Sequence, residues 1–243
     1  MCNRYNIDMN ELFYIRFWGP HGLFSNPLHP VERQTYPFPT HSALRNMIGA
    51  IFWKPEMHEY GGTGYQITRI AVKNPIVTSS LTRNEVTEVI KRKLTPINVN
   101  EVRRANPRIS GVRTQRNSVI LRDVEYVVEF YINFPTGTFK RTDGETSPNY
   151  WGKYRNQLLD RLDKGICYHD PYMGCREFTA AFQRATPNDM IIDKPRVPNM
   201  TIPLMLYEVQ NLENISEIKP TFCPIELRNG IVSYPTWNQL KNK

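Results

Sequence analysis

The segment from Val124 to Phe134 constrains the fold more than any other. Val124, Tyr126, Val128, Phe130, Ile132 and Phe134 take every second position, with Glu125, Glu129 and Asn133 among the residues between them. Side chains alternate across a strand, so one face is wholly apolar and must be buried in a sheet covered by other elements. Candidates for those elements lie on either side. Phe13, Ile15 and Phe17 alternate with Tyr14, Arg16 and Trp18 before Gly19-Pro20, Gln66 to Val72 reads as a second strand, and Arg176 to Phe182 as a last core strand. Thr40 fits the N-cap of a helix with Leu44, Met47, Ile48, Ile51 and Phe52 in one stripe, stopped by Pro55. A second helix, from about Gly152 to Lys164, buries Leu158, Leu159 and Leu162 and stops at Gly165. The glycines at 61, 62 and 64 precede a strand instead of opening a helix, which excludes a phosphate loop.

The order strand, helix, strand, insertion, strand, helix, strand is the split βαβ plan. It predicts an α+β, ferredoxin-like (RRM-type) domain over residues 1–183. Residues 77–121 form an insertion. A short helix from Asn84 with Val86, Val89, Ile90 and Leu94 on one side leads into an extended arm broken by Pro96 and Pro107. Residues 184–243 read as a small C-terminal antiparallel β subdomain. It holds a strand at Thr201 to Val209 and a hairpin in which Asn229-Gly230 joins Ile225–Arg228 to Ile231–Tyr234.

Charge narrows the partners. The chain of 243 residues carries a net +8, and six arginines (103, 104, 108, 113, 116, 122) crowd one stretch whose only acids are Glu101 and Asp123 at its margins. Guanidinium forks match phosphate oxygens and stack on bases, so this arm favours nucleic acid over a solvated face. No apolar run approaches the roughly 18 residues of a membrane helix, and MCNRYNIDMNE lacks the apolar core of a secretory signal, so a cytoplasmic protein is expected. Cys2, Cys167, Cys175 and Cys223 contain no CxxC pair. Cys167, His169 and Cys175 match no usual zinc spacing, so reduced thiols and no metal or cofactor are expected.

Four stretches, in order, carry a family resemblance: TYPFPTHSALRNMIGAIFWKP from Thr35 to Pro55, Arg83-Asn84-Glu85-Val86, TQRNSVILRDVEYVV from Thr114 to Val128, and GKYRNQLLDRLDKGICYHDPYMGCREF from Gly152 to Phe178. Together they resemble the Cas-five family of type I-C (Dvulg) CRISPR systems, within the RAMP superfamily. The resemblance implies a ferredoxin-like domain with a C-terminal β extension, bound to the 5′ handle of the CRISPR RNA in a surveillance (Cascade) complex. It implies Cas-seven backbone subunits and a Cas-eight large subunit as partners, and target DNA met through the complex. It also implies a metal-independent endoribonuclease that cuts precursor CRISPR RNA at the repeat hairpin. A non-catalytic subunit that caps the 5′ handle is the alternative within the family. A generic single-strand binder fits the charge but not the ordered spacing of the motifs.

Metal-free RNA cleavage needs a base for the ribose 2′-OH, a cation for the charged phosphorane and an acid for the leaving 5′ oxygen. The family pattern has a Tyr or His just before the Trp-Lys-Pro that ends the first helix, and a Lys-His pair opening the second; here these positions read Phe52 and Lys153-Tyr154. Lys153 and Tyr154 are the catalytic candidates. Lys153 also fits a plain phosphate contact. Tyrosine, with a pKa near 10, is ionised to about one part in a thousand at pH 7, so Tyr154 serves as base only if Lys153 lowers its pKa, or as a hydrogen-bonding acid. Otherwise it packs on Leu158 one turn on. Phe52 fits its apolar stripe. His169 and His41 are the substitutes for a missing base, although a lone histidine is more often structural. For RNA binding the candidates are Arg45, Lys54, Arg103, Arg104, Arg108, Arg113, Arg116 and Arg122 on phosphates, with Tyr36, Trp53 and Trp151 on splayed bases. Core packing competes for Trp53 and Trp151.

Overall fold

A computed structural model describes residues 11–29, 32–54, 64–86, 113–133, 139–140, 146–147, 150–211 and 214–241. The elements are β1 (Phe13–Gly22), β2 (Arg33–Gln34), α1 (His41–Ile51), β3 (Gly64–Val72), β4 (Val77–Val86), β5 (Arg113–Asn133), β6 (Phe139–Lys140), β7 (Thr146–Ser147), α2 (Tyr150–Lys164), β8 (Ala181–Arg184), a 3-10 turn (Pro187–Met190), β9 (Met200–Asn211), β10 (Asn214–Arg228), β11 (Ile231–Ser233) and α3 (Trp237–Lys241). The fold is α+β with a mostly antiparallel sheet.

β5 is the spine, as the alternation from Val124 requires. Its apolar face pairs in register with both neighbours: Phe130, Val128 and Tyr126 lie opposite Phe13, Ile15 and Phe17 of β1, and opposite Ile67, Ile70 and Val72 of β3. These residues share one buried cluster with Leu44, Ile48 and Ile51 of α1 and Tyr154, Leu158 and Leu162 of α2, so both helices cover that face. On the other face Glu129 is buried, and the guanidinium of Arg69 and the hydroxyls of Thr68 and Tyr14 all donate to its carboxylate. Burial alone pushes its pKa up, but those hydrogen bonds and the Arg69 charge outweigh burial and hold it below the usual range.

The sheet runs β8-β1-β5-β3-β11-β10-β9, with β2 and β4 both joined to β5. The C-terminal hairpin turns at Asn229 (φ 50) and Gly230 (φ 78), two successive positive φ angles that match its Asn-Gly signature. β11 then pairs with β3, so the C-terminal strands extend the main sheet and share its core, with Met205, Tyr207, Ile225 and Val232 in the same cluster.

The 77–121 region differs from expectation. Asn84 to Val86 do not open a helix: they close β4, whose ten residues pair antiparallel with Arg113 to Arg122. The partner strand supplies backbone hydrogen bonds along this ribbon, a long-range term that local periodicity does not register. β5 changes partners near Asp123, a residue with φ 49, leaving β4 for β3. Residues 87–112, with Val89, Ile90, Leu94, Arg103, Arg104 and Arg108, lie outside the described residues. The last core strand also starts later than expected, at Ala181, because 172–179 close a tight loop with Tyr172 bridged to Thr179.

Candidate functional site

α1 ends in a cluster of engaged carbonyl acceptors. The last four carbonyls of a helix lack partners within it. Here the N–H groups of Tyr168 and His169 both donate to Ala50 O at 3.0 and 2.9 Å, Arg161 Nη1 donates to Ile51 O at 2.6 Å, and the Tyr65 hydroxyl donates to Phe52 O. Three separate elements thus grip the residues just before Trp53 and Lys54.

The family-motif positions meet at this end. Phe52 and Tyr154 touch edge to face with centroids 5.9 Å apart, and Arg161 lies over the Phe52 ring at 5.4 Å. Both rings are buried, at 1 % and 3 % exposure, whereas Lys153, one residue earlier on α2, is exposed. Tyr154 therefore occupies the packing position in line with Leu158 and Leu162. Among the described residues Lys153 makes no ion pair.

An open groove of about 830 Å³ runs along the same end of α1. Trp53, Tyr168, His169, Tyr172 and Arg176 line it, beside Asn46 and Asp170. Trp53 is 45 % and Tyr168 71 % exposed, and the Tyr168 ring stands against the His169 imidazole with centroids 4.3 Å apart. The wall is built by the 166–179 loop. Gly174 makes its turn possible at φ +81: a Cβ there would sit 2.0 Å from Leu23 O. Sequence reasoning picks out Trp53 and His169 but misses Tyr168, Tyr172 and Arg176. The available signal is the density of Tyr, His, Asp and Arg around Pro171 and Gly174, a composition suited to a binding loop.

Two candidate binding residues turn inward. Tyr36 is buried at 3 %, and its hydroxyl accepts from Leu206 N at 3.2 Å, so the ring packs in the core and is not offered to a base. Arg45 is also buried. Its Nε and Nη2 fork onto the carboxylate of Glu208 on β9 at 3.0 and 3.2 Å, which replaces the expected phosphate contact. His41 completes the clasp. Its Nε2 accepts from Ile67 N, which leaves the proton on Nδ1, 3.5 Å from Glu208 Oε2. Burial pushes the His41 pKa down and pushes that of Glu208 up, but His41 and Arg45 reverse the latter and hold the Glu208 carboxyl at about 2. That buried ring is a strut between α1, β3 and β9.

The remaining cations spread over the ribbon. Arg113 opens β5, Arg116 is half-buried and Arg122 exposed. Arg83 of β4 donates to Glu177 at 3.2 Å, tying the ribbon to the groove loop. Trp151 falls in α2. Among the described residues no three His, Cys, Asp or Glu side chains cluster as a metal site, and no helix is long and apolar enough to cross a membrane.

Residues 13–197 match the family model Cas_Cas5d, CRISPR-associated protein (Cas_Cas5). The chain belongs to the Cas5 family, in its type I-C (Cas5d) branch. It is 34 % identical over 208 residues to the CRISPR pre-crRNA endoribonuclease Cas5d of Thermus thermophilus, covering 86 % of this chain and 77 % of that one. The protein of the same name in Mannheimia succiniciproducens is 30 % identical over 234 residues, 91 % and 93 % of the two chains. Among solved structures, a CRISPR-associated protein superposes with a TM-score of 0.64 at 19 % identity over 95 % of both chains. A chain of a CRISPR RNA-guided surveillance complex gives 0.50 at 17 % over 88 % of this chain and 91 % of that one. The Cas5d family match includes α1, the ribbon, α2 and the groove loop, and so holds every residue described above at the end of α1.

Proposed function

We propose that this chain binds CRISPR RNA, cleaves the precursor at the base of each repeat hairpin without a metal ion, and stays on the 5′ handle in a type I-C surveillance complex. The observation that carries this reading is the identity, over about nine-tenths of the chain, to proteins named pre-crRNA endoribonucleases. The exposed Lys153 at the start of α2 supports it, since metal-free chemistry requires a cation beside the phosphorane. In this reaction the 2′ oxygen attacks the adjacent phosphorus and the bond to the 5′ oxygen breaks. The products are a 2′,3′-cyclic phosphate and a 5′-OH. Trp53 offers a stacking face, and Lys54, Arg113, Arg116 and Arg122, with Arg103, Arg104 and Arg108 of the arm, supply phosphate contacts.

The run β8-β1-β5-β3, with α1 after β1 and α2 after β5, supports the ferredoxin-like reading of residues 1–183, and residues 184–243 form its β extension. Cas-seven and Cas-eight subunits as neighbours, target DNA met through them and a cytoplasmic setting belong to the same reading. The likeness to a surveillance-complex chain supports the assembly. The test is single-turnover cleavage of the cognate repeat RNA in EDTA by the wild type and by Lys153→Ala. The wild type cuts at one position and the variant does not; equal cutting by both would displace the site.

A second reading has its own observation. Phe52 and Tyr154 are buried against one another, and a chain that caps the 5′ handle without cutting needs no more than that. Intact handle binding with no specific cleavage would establish it.

A further inference from the structure

If this chain cuts RNA, the proton must leave the 2′-OH through some group, and the two motif positions that would supply it hold a phenylalanine and a buried tyrosine. The groove at the same end of α1 holds what they lack. We infer that this groove takes the unpaired nucleotide at the scissile phosphate and that His169 is the general base of the reaction.

Five features of the groove converge on this assignment. His169 lines this open groove, whereas His41 is sealed in the core. Its backbone is anchored, because its main-chain N–H and that of Tyr168 share one carbonyl at the end of α1, and its ring stands against that of Tyr168. A base held this way starts the reaction from an oriented state instead of searching for it. Trp53 and Tyr168 present two large, exposed rings to the same space, the equipment on which unpaired bases stack. Arg176 also faces the groove and makes no ion pair among the described residues, so its guanidinium is suited to a phosphate oxygen. The volume of about 830 Å³ admits a nucleotide with its sugar and phosphate.

The step balances without a co-reactant. The free ring nitrogen of His169 removes the 2′-OH proton as O2′ bonds to phosphorus. The P–O5′ bond breaks, its electron pair stays on O5′, and O5′ takes a proton from solvent while the imidazolium returns its own to solvent. No electrons are exchanged and no water is consumed. The site adjoins the family-motif positions, since Trp53 follows Phe52, and Phe52 touches Tyr154 beside Lys153.

This inference rests on the cleavage reading above, and the test separates the two. The full-length protein is assayed on its cognate repeat RNA in EDTA as wild type, His169→Ala and His169→Gln, with RNA affinity measured in parallel. Both variants bind RNA within about threefold of wild type and lose about 100-fold or more in single-turnover rate. Added imidazole restores cleavage to His169→Ala. A residue that merely held the loop would be replaced by glutamine without loss and would not respond to imidazole. Cleavage by His169→Ala or by His169→Gln at the wild-type rate overturns the assignment and leaves the endoribonuclease reading standing. A wild type that binds but does not cut overturns both.

Discussion

The two ends of α1 hold residues of the same chemical kinds and use them in opposite ways. Toward its start, His41 and Arg45 face inward onto Glu208 and are buried, Arg45 also backing the groove. At its end, Trp53, Tyr168, His169 and Arg176 open onto a groove. Charge and aromaticity alone do not distinguish the ends; the partner does. A guanidinium that meets a carboxylate within the fold is a strut, and one that meets none among its described neighbours is available to RNA.

Changes at the open end should abolish activity while sparing the fold. Lys153→Ala should lower single-turnover cleavage by about 100- to 10,000-fold with RNA binding retained, measured on the cognate repeat. Normal cleavage would move the site away from the start of α2. At the closed end the effect should reverse, sparing chemistry and costing stability. Glu208→Ala strands a buried guanidinium and should destabilise by about 3–5 kcal/mol in chemical denaturation, whereas Tyr168→Ala should leave stability unchanged.

The same clasp sets an acid limit. The Glu208 carboxyl is held at about 2 in the folded chain, against an ordinary value of 4.5. A depressed carboxyl contributes fully above its unfolded pKa, so this stability is whole above pH 4.5 and drains as the pH falls toward 2. Glu208→Gln should begin less stable at neutral pH and show a shallower acid limb. An acid limb identical to wild type would mean that Glu208 is not the titrating group.

Smaller effects should come from binding. Trp53→Ala should weaken RNA affinity by about 1–3 kcal/mol if it stacks on a base, with unchanged melting; a loss of stability instead would make it a packing residue. Arg116→Ala with Arg122→Ala should flatten the log-affinity against log-salt slope by about 0.7 for each phosphate no longer neutralised. An unaltered slope would remove the ribbon from the RNA path.

Most of the sheet is legible in the sequence because the alternation of β1 and β5 is a local signal, and the Thr40 cap and Gly165 stop are local too. Thr40 Oγ1 accepts from Ala43 N at 3.1 Å, and Ile166 N reaches Arg161 O past Gly165 at φ 65. Local periodicity misreads the ribbon at Asn84 because its stability comes from a strand about 30 residues away in sequence. The inward turn of Tyr36 and Arg45 is hidden for a related reason. Their partners, Leu206 and Glu208, belong to β9, more than 160 residues on. The groove is composed of α1 and a loop far along the chain, joined at Ala50 O.

The central claim is tested most directly by incubating the purified chain with its cognate repeat RNA in excess EDTA and assigning the ends of the products. One cut at the base of the hairpin, leaving a 2′,3′-cyclic phosphate and a 5′-OH, is the predicted result. Bound RNA that remains intact would contradict it.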